Sequence, residues 1–247
     1  MPVKGAGVAT RYSRILLKLS GESLGSDEGP FDHQRLSGLA QHISRIAGEG
    51  IEIGIVVGGG NLFRARSANL DVLNRVTADH VGMLATLMNA TVLRDYLRAE
   101  GARSVILSPR EVPPLSRSFS RDLALPLFKS GTVLIFGGGT GNPFFTTDTA
   151  AALRAVEIEA DVLLKGTQVD GVYDKDPLQH TDAVRFDFLT YDEVLDRRLG
   201  VMDLTAITLC KENGVPIEVF DISDPRNIMR LLNGEIAGTR VAKEPKP

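Results

Sequence analysis

Six short runs rich in β-branched and other apolar residues recur along the chain, separated by stretches long enough to hold a helix. They are RILLKLS (14–20), IEIGIVVGG (51–59), SVILS (104–108), TVLIFGG (132–138), ADVLLKG (160–166) and PIEVFD (216–221). Runs of this kind, bounded by glycine and polar residues, read as strands buried on both faces. The segments between them carry a helical period instead. FDHQRLSGLAQHISRIAGEG sets Leu36, Leu39, Ile43 and Ile46 three and four residues apart and closes on Gly48 and Gly50. RVTADHVGMLATLMNATVLRDYLRAEG stops at Gly101 after a charged last turn. TDTAAALRAVEIE, TYDEVLDRRL, MDLTAITLCKENG and DPRNIMRLLNG complete the set, the last with Asp224 as N-cap, Pro225 at its first position and Gly234 beyond its end. Strands alternating with helices predict an α/β fold: a central, mostly parallel sheet with helices on both faces. Such sheets bind ligands beyond the carboxyl ends of their strands, so those ends are where chemistry is to be sought.

Composition narrows the classes. A chain of 247 residues can bury a large core within one α/β domain. Its 43% hydrophobic and 24% charged residues are those of a soluble globular protein, and a net charge of −3 speaks against a nucleic-acid binder. MPVKGAGVATRYSR lacks the apolar core of a signal peptide, and no run approaches the roughly 20 apolar residues of a membrane span, so a cytoplasmic protein with no membrane partner is the expectation. The one cysteine, Cys210, reads as a small buried residue of a helix. The four histidines, at 33, 42, 80 and 180, are scattered without metal-ligand spacing. SPREVPPLSRSFSRDLALP (108–126) reads as a solvated irregular loop.

Three strands end in glycine or small polar residues: KLSGES (18–23), VVGGGNLFR (57–64) and FGGGTGNPFFTTD (136–148). Glycine removes the Cβ that keeps backbone away from a ligand and admits positive φ, so successive N–H groups can converge on an anion. Three such ends on one sheet edge, with Lys18, point to several phosphate groups side by side. Neither the G-x-x-x-x-G-K-[ST] loop nor G-x-G-x-x-G is present, since Phe63 and Asn142 stand at the last glycine position. Lys18 ends an apolar strand, where an ammonium needs an anionic partner; a lysine snorkelling to water is the alternative. Asp79 falls four residues before Met83 and eight before Leu87, on the apolar face of its helix, so it should point at something polar; a first-turn acid favoured by the helix dipole is the alternative. Asp148 follows Thr146 and Thr147, either of which can cap the next helix, and by itself is an ordinary first-turn acid, as is Asp203 in VMDLTA.

RILLKLSGESL, VVGGGNLFR, DHVGMLATLMNA, GTGNPFFTTDTAAALRAVEIEADVLLKGTQVDGVYDKDP, LTYDEVL and VMDLTA together resemble the bacterial UMP kinases (uridylate kinases) of the amino acid kinase superfamily, from about Arg14 to about Val241. The resemblance implies a three-layer α/β/α sandwich, usually a homohexamer, that phosphorylates UMP to UDP with Mg²⁺ and ATP in pyrimidine nucleotide biosynthesis. It implies a flexible tail over 1–13 and a single domain over 14–247, with an acceptor half at about 14–150 and an ATP half at about 151–241. Matched motif by motif, Lys18, Leu19, Ser20, Gly21, Gly60 and Arg64 approach the ATP phosphates, and Thr167, Tyr173 and Asp176 hold the adenosine side. Gly59, Asp79, Thr140, Gly141, Asn142, Pro143, Phe144, Phe145, Thr146 and Thr147 bind UMP, Asp79 through the ribose hydroxyls. Lys18, Asp148 and Asp203 are the implied catalytic residues: Lys18 on the transferring phosphoryl group, Asp203 orienting Lys18, Asp148 organising the Mg²⁺ hydration shell or the cationic groups. No residue is implied as a direct metal ligand.

GTP activation and UTP inhibition are the regulation the resemblance raises. LGSDEGPFD (24–32) is shorter than, and different from, the glycine- and aromatic-bearing segment that many relatives use in the response to GTP, which leaves GTP activation open here. Gln168 stands where the adenosine-side segment often has lysine. A carbamate, acetylglutamate or aspartate kinase would share the ATP half, but Phe144 and Phe145 beside Asp79 suit a nucleoside better than a small acid. A non-catalytic binding protein on the same fold is opposed by Lys18, Asp148 and Asp203 standing together.

Overall fold

The computed structural model describes residues 11–64 and 72–245, so residues 1–10 of the expected tail lie outside the described part. Residues 11–13 do not belong to a free tail. The Arg11 N–H donates to the Leu232 carbonyl at 2.8 Å, Tyr12 is buried, and the Ser13 N–H and hydroxyl both donate to one oxygen of Asp161, at 2.7 and 2.9 Å.

All six expected strands form: β1 (Arg14–Leu19), β2 (Glu52–Val57), β3 (Ser104–Ser108), β5 (Val133–Phe136), β6 (Val162–Thr167) and β10 (Ile217–Asp221). Together with β4 (Arg117–Ser118), β9 (Phe188–Thr190) and β11 (Gly238–Ala242) they make one sheet of nine strands among the described residues, in the order β4-β3-β5-β2-β1-β6-β10-β11-β9. Neighbours are parallel except β10 and β11. A two-stranded ribbon, β7 (Val172–Tyr173) with β8 (Arg185–Phe186), stands apart from it. From β1 the chain runs first to β2 and β5 on one side and only later to β6 and β10 on the other, so the strand order switches at β1. A crevice opens at such a point because the flanking connections leave in opposite directions.

Helices α1 (His33–Gly48), α2 (Arg75–Ala99) and α7 (Arg226–Leu232) cover one face; α3 (Arg121–Lys129), α4 (Thr147–Glu157), α5 (Tyr191–Asp196) and α6 (Leu204–Asn213) cover the other. Side chains alternate across a strand, so parity decides which layer each meets. Ile15, Leu17 and Leu19 of β1 and Val162 and Leu164 of β6 join the α1/α2/α7 core, whereas Leu16 and Leu163 join the α4/α6 core. By the same parity Lys18 and Lys165 project towards α4 and α6.

The expected loop 108–126 is partly regular. β4 pairs with β3, and Ser120 caps α3 by accepting from the Leu123 N–H at 3.2 Å. Proline and arginine masked the Ser120 cap and the apolar Ala124 and Phe128, which are buried on the sheet. The last helix starts one residue later than expected, at Arg226, yet Asp224 still accepts from the Arg226 N–H at 3.0 Å and Pro225 has helical dihedrals. Among the described residues no helix is long and apolar enough to cross a membrane.

Cys210 is fully buried in α6, and burial pushes its thiol up to about 12. Thiolate is the reactive form, so the native protein at pH 8 should resist a colorimetric thiol reagent and release the signal of one thiol only in denaturant. Rapid labelling of native protein would contradict the packing of α6 against α4.

Candidate active site

The carboxyl ends of β1, β2, β5 and β6 converge on the N-termini of α4 and α6. Between them lies a cleft of about 630 Å³, with a second of about 490 Å³ beyond it. Lys18, Gly59, Gly60, Arg64, Asp79, Thr140, Asn142, Phe145, Thr146, Thr147, Asp148 and Asp203 line the first. Thr167, Tyr173 and Asp176 line the second, and Lys165 and Gly200 line both.

Lys18 and Lys165 are direct neighbours on adjacent parallel strands. Their ammonium groups meet one carboxylate: Lys18 Nζ lies 2.8 Å from Asp148 Oδ1 and Lys165 Nζ 2.9 Å from Asp148 Oδ2. Lys165 also donates to the Val201 carbonyl. Burial alone would raise the Asp148 carboxyl, but the charges of Lys18 and Lys165, and their hydrogen bonds, hold it below the ordinary carboxylate range. Burial pushes the Lys165 ammonium down, a shift that Asp148 opposes and Lys18 reinforces. Lys165 is the residue that motif reading passed over. Its signal was nonetheless present, since LLK occurs at the end of both strands.

Asp203 does not orient Lys18. Its carboxylate caps α6, accepting from the Ala206 N–H at 2.9 Å, and accepts from the hydroxyls of Thr146 and Thr149, the latter at 2.9 Å to both oxygens. The Thr146 hydroxyl in turn caps α4 through the N–H groups of Asp148 and Thr149, at 3.1 and 3.2 Å. The two caps therefore share hydrogen bonds, and two helix N-termini, each favouring negative charge, are fastened side by side. Lys18 is paired with Asp148 instead, and the charge of Asp203 acts on the neighbouring Lys165.

The glycine turns lie where a Cβ would not fit. A Cβ on Gly21 would come within 2.5 Å of the Gly60 nitrogen, so the turns after β1 and β2 touch backbone to backbone. Gly138 and Gly139 have φ of 79° and 58°, and the Gly138 N–H donates to the Thr86 hydroxyl of α2 at 2.7 Å. Asp79 accepts from the Phe144 N–H at 2.8 Å and is ion-paired with Arg75 at 2.9 Å. This holds the loop 140–147 against α2 with Phe144 at φ 71°.

Some expected contacts fall outside the clefts. The Leu19 side chain is buried in the core, and Ser20 and Gly21 lie behind Gly60. Gly141, Pro143 and Phe144 do not line the first cleft; the Phe144 ring is exposed beneath the Arg75 guanidinium, 5.7 Å away. Arg64 is turned to Glu22, an acid that the glycine-centred reading left aside. Tyr173 donates to Asp170 at 2.6 Å, Asp176 accepts from Gln179 at 2.9 Å, and the Thr167 hydroxyl donates to the Val169 carbonyl at 2.5 Å. Gln168 lines the groove beside residues 25–35 rather than the second cleft.

A family model described as the amino acid kinase family matches residues 13–221. The chain is 51% identical to a uridylate kinase of Psychrobacter cryohalolentis over 233 residues, covering 94% of this chain and 97% of that protein. It is 48% identical to a uridylate kinase of Pseudomonas fluorescens over 242 residues, covering 98% of each. Among solved structures it is similar to the UMP kinase of Bacillus anthracis (TM-score 0.91, 34% identity, 95% and 97% covered) and to that of Ureaplasma parvum (TM-score 0.89, 36%, 94% and 100%).

The lowered Asp148 carboxyl sets a pH test. A carboxyl depressed in the folded state stabilises the protein fully above its unfolded value, about 3.9, and loses that contribution as pH falls through the folded value. Asp148→Asn leaves two adjacent ammoniums unopposed, so urea titrations should show a deficit on the order of 2 kcal/mol near pH 5 that shrinks below about pH 4. A deficit that grew from about pH 5 to about pH 3 would contradict the arrangement.

Proposed function

Because the chain belongs to the amino acid kinase family, we propose that it transfers the γ-phosphoryl group of ATP to the 5′-phosphate of UMP, giving ADP and UDP for pyrimidine nucleotide biosynthesis. The observation that carries this reading is the pair of ammonium groups on Asp148, facing two helix N-termini and a glycine turn in one cleft. Three sources of positive potential there converge on a space suited to a row of phosphates. The acceptor-side loop, tethered by Asp79, closes one end of the cleft, and the second cleft, reaching past Lys165 to Tyr173 and Asp176, receives the adenosine.

The reaction is a direct in-line displacement. An oxygen of the UMP phosphate forms the new bond to the γ-phosphorus while the bond from that phosphorus to the β–γ bridging oxygen breaks, its electron pair leaving with ADP. The attacking oxygen is anionic near neutral pH, so no strong general base is needed and positioning with charge neutralisation does the work. Lys18 follows the charge on the transferring group; Asp148 keeps Lys18 and Lys165 aimed at it; Asp203 acts through Thr146 and Thr149 on the two helix ends. Among the described residues no group of three or more His, Cys, Asp or Glu is placed to hold a metal, and both Asp148 oxygens already face ammonium groups. Mg²⁺ would then be carried by the ATP phosphates and water rather than by a protein carboxylate, and would supply charge neutralisation there. The same reading makes the protein a cytoplasmic homohexamer; Leu84 and Met88, exposed on α2, support a covered face there. Mass in solution and titration with GTP and UTP test the assembly and its regulation.

A coupled assay with Mg²⁺ and ATP, offering UMP, CMP, dTMP, carbamate or N-acetylglutamate, should release ADP fastest with UMP; no release with UMP would overturn the proposal. Lys18→Ala should lose at least about 100-fold in kcat with a modest change in KM, as for a contact made mainly in the transition state. Asp79→Asn should raise KM for UMP about tenfold and leave that for ATP nearly unchanged, and an equal rise for both would contradict its acceptor-side place.

A further inference from the structure

Asn89 lies in the middle of α2 with no exposed surface, flanked along the helix by Ala90 and Leu93 of the apolar core. An amide so placed is destabilising unless its polar atoms are paired, and here they are. Asn89 Nδ2 donates to the Gly58 carbonyl at 2.6 Å and to Asn61 Oδ1 at 2.7 Å. Asn61 Nδ2 donates back to Asn89 Oδ1 at 3.2 Å and onward to the Pro30 carbonyl at 2.7 Å. The two side-chain amides thus pair reciprocally beneath the glycine turn that follows β2. A Cβ on Gly21 would lie 2.5 Å from Asn61 Oδ1, so the turn that follows β1 rests on the same pair.

We propose that Asn89, acting through Asn61, is a positioning residue that fixes the glycine turn of residues 58–60 for phosphate binding. Three consecutive glycines have the widest choice of backbone conformation in the chain and cannot define one by themselves. The turn's own hydrogen bonds, from Gly58 N–H to the Leu19 carbonyl and from Leu62 and Phe63 to the Gly59 carbonyl, leave the Gly58 carbonyl to Asn89. An apolar residue at 89 would serve the core equally well and would leave that carbonyl and Asn61 without direction. The pair also ties Pro30, and with it the segment before α1, to the turn.

The inference rests on the phosphotransfer reading only for what the turn binds. Hydrogen exchange followed by mass spectrometry on the ligand-free full chain tests the clamp without activity, in Asn61→Ala, Asn89→Ala and the double variant. Amides of residues 58–62 should exchange at least about tenfold faster in each, with residues 162–167 keeping wild-type protection and the double variant no faster than Asn89→Ala. In the coupled assay KM for ATP should rise at least about tenfold, and KM for UMP should rise with it, because the turn carries Gly59 as well as Gly60. Wild-type exchange at 58–62 in a folded Asn61→Ala protein, or unchanged KM for ATP in it, would overturn the proposal. Should Asn89→Ala fail to fold, Asn61→Ala, whose side chain is only half-buried, decides it. A wild-type protein inert towards UMP would sink the phosphotransfer reading instead and leave the exchange result standing.

Discussion

One carboxylate between two ammonium groups is the constraint on which the rest of the site depends. Lys18 and Lys165 occupy matched positions on neighbouring strands and project to the same side, an arrangement that would be repulsive without Asp148. The carboxylate can reach both because it sits in the first turn of α4, whose N-terminus is aimed at the strand ends. Sheet register, strand parity and one helix start thus combine to hold positive charge in a partly desolvated place, where it is worth more to a phosphate than the same charge in water.

Around this centre the polar groups act as fasteners. Asp203, Thr146 and Thr149 join the starts of α4 and α6, Thr86 secures the turn after β5, and Asp79 secures the loop 140–147 to α2. Each uses a side chain from one element to satisfy backbone or side-chain groups of another. The floor of the cleft is therefore cross-linked by hydrogen bonds, while Arg64, more than half exposed, pairs with Glu22 at the rim.

The central strands and most of their coverage were legible because buried strands must be apolar and the helices between them must show a 3.6-residue period; α3, read as part of the loop 108–126, is the exception. The edge was not. β9 and β11 are short and mixed in composition, parallel to each other and joined to the other strands through the antiparallel β10–β11 pair, so their neighbours rather than their own residues define them. In the site, the glycine turns and the GTGNPFFTTD loop were readable from spacing and resemblance. Who holds whom was not: Asp148 and Asp203 are both first-turn or capping acids in sequence, and only the proximity of Thr149 assigns one to hydroxyls and the other to lysines. Lys165 escaped notice for the same reason, because its partnership with Lys18 is a register between strands nearly 150 residues apart.

The account's central claim is that Lys165 and Asp148 act as one unit on the transferring phosphoryl group. A double-mutant cycle on kcat at saturating UMP and ATP, using Lys165→Met, Asp148→Asn and both together, measures this coupling directly. The account predicts strong non-additivity, with the double variant within about threefold of the worse single variant. Losses that simply multiply would contradict it, and would make Lys165 and Asp148 independent contributors rather than two parts of a single charge-holding device.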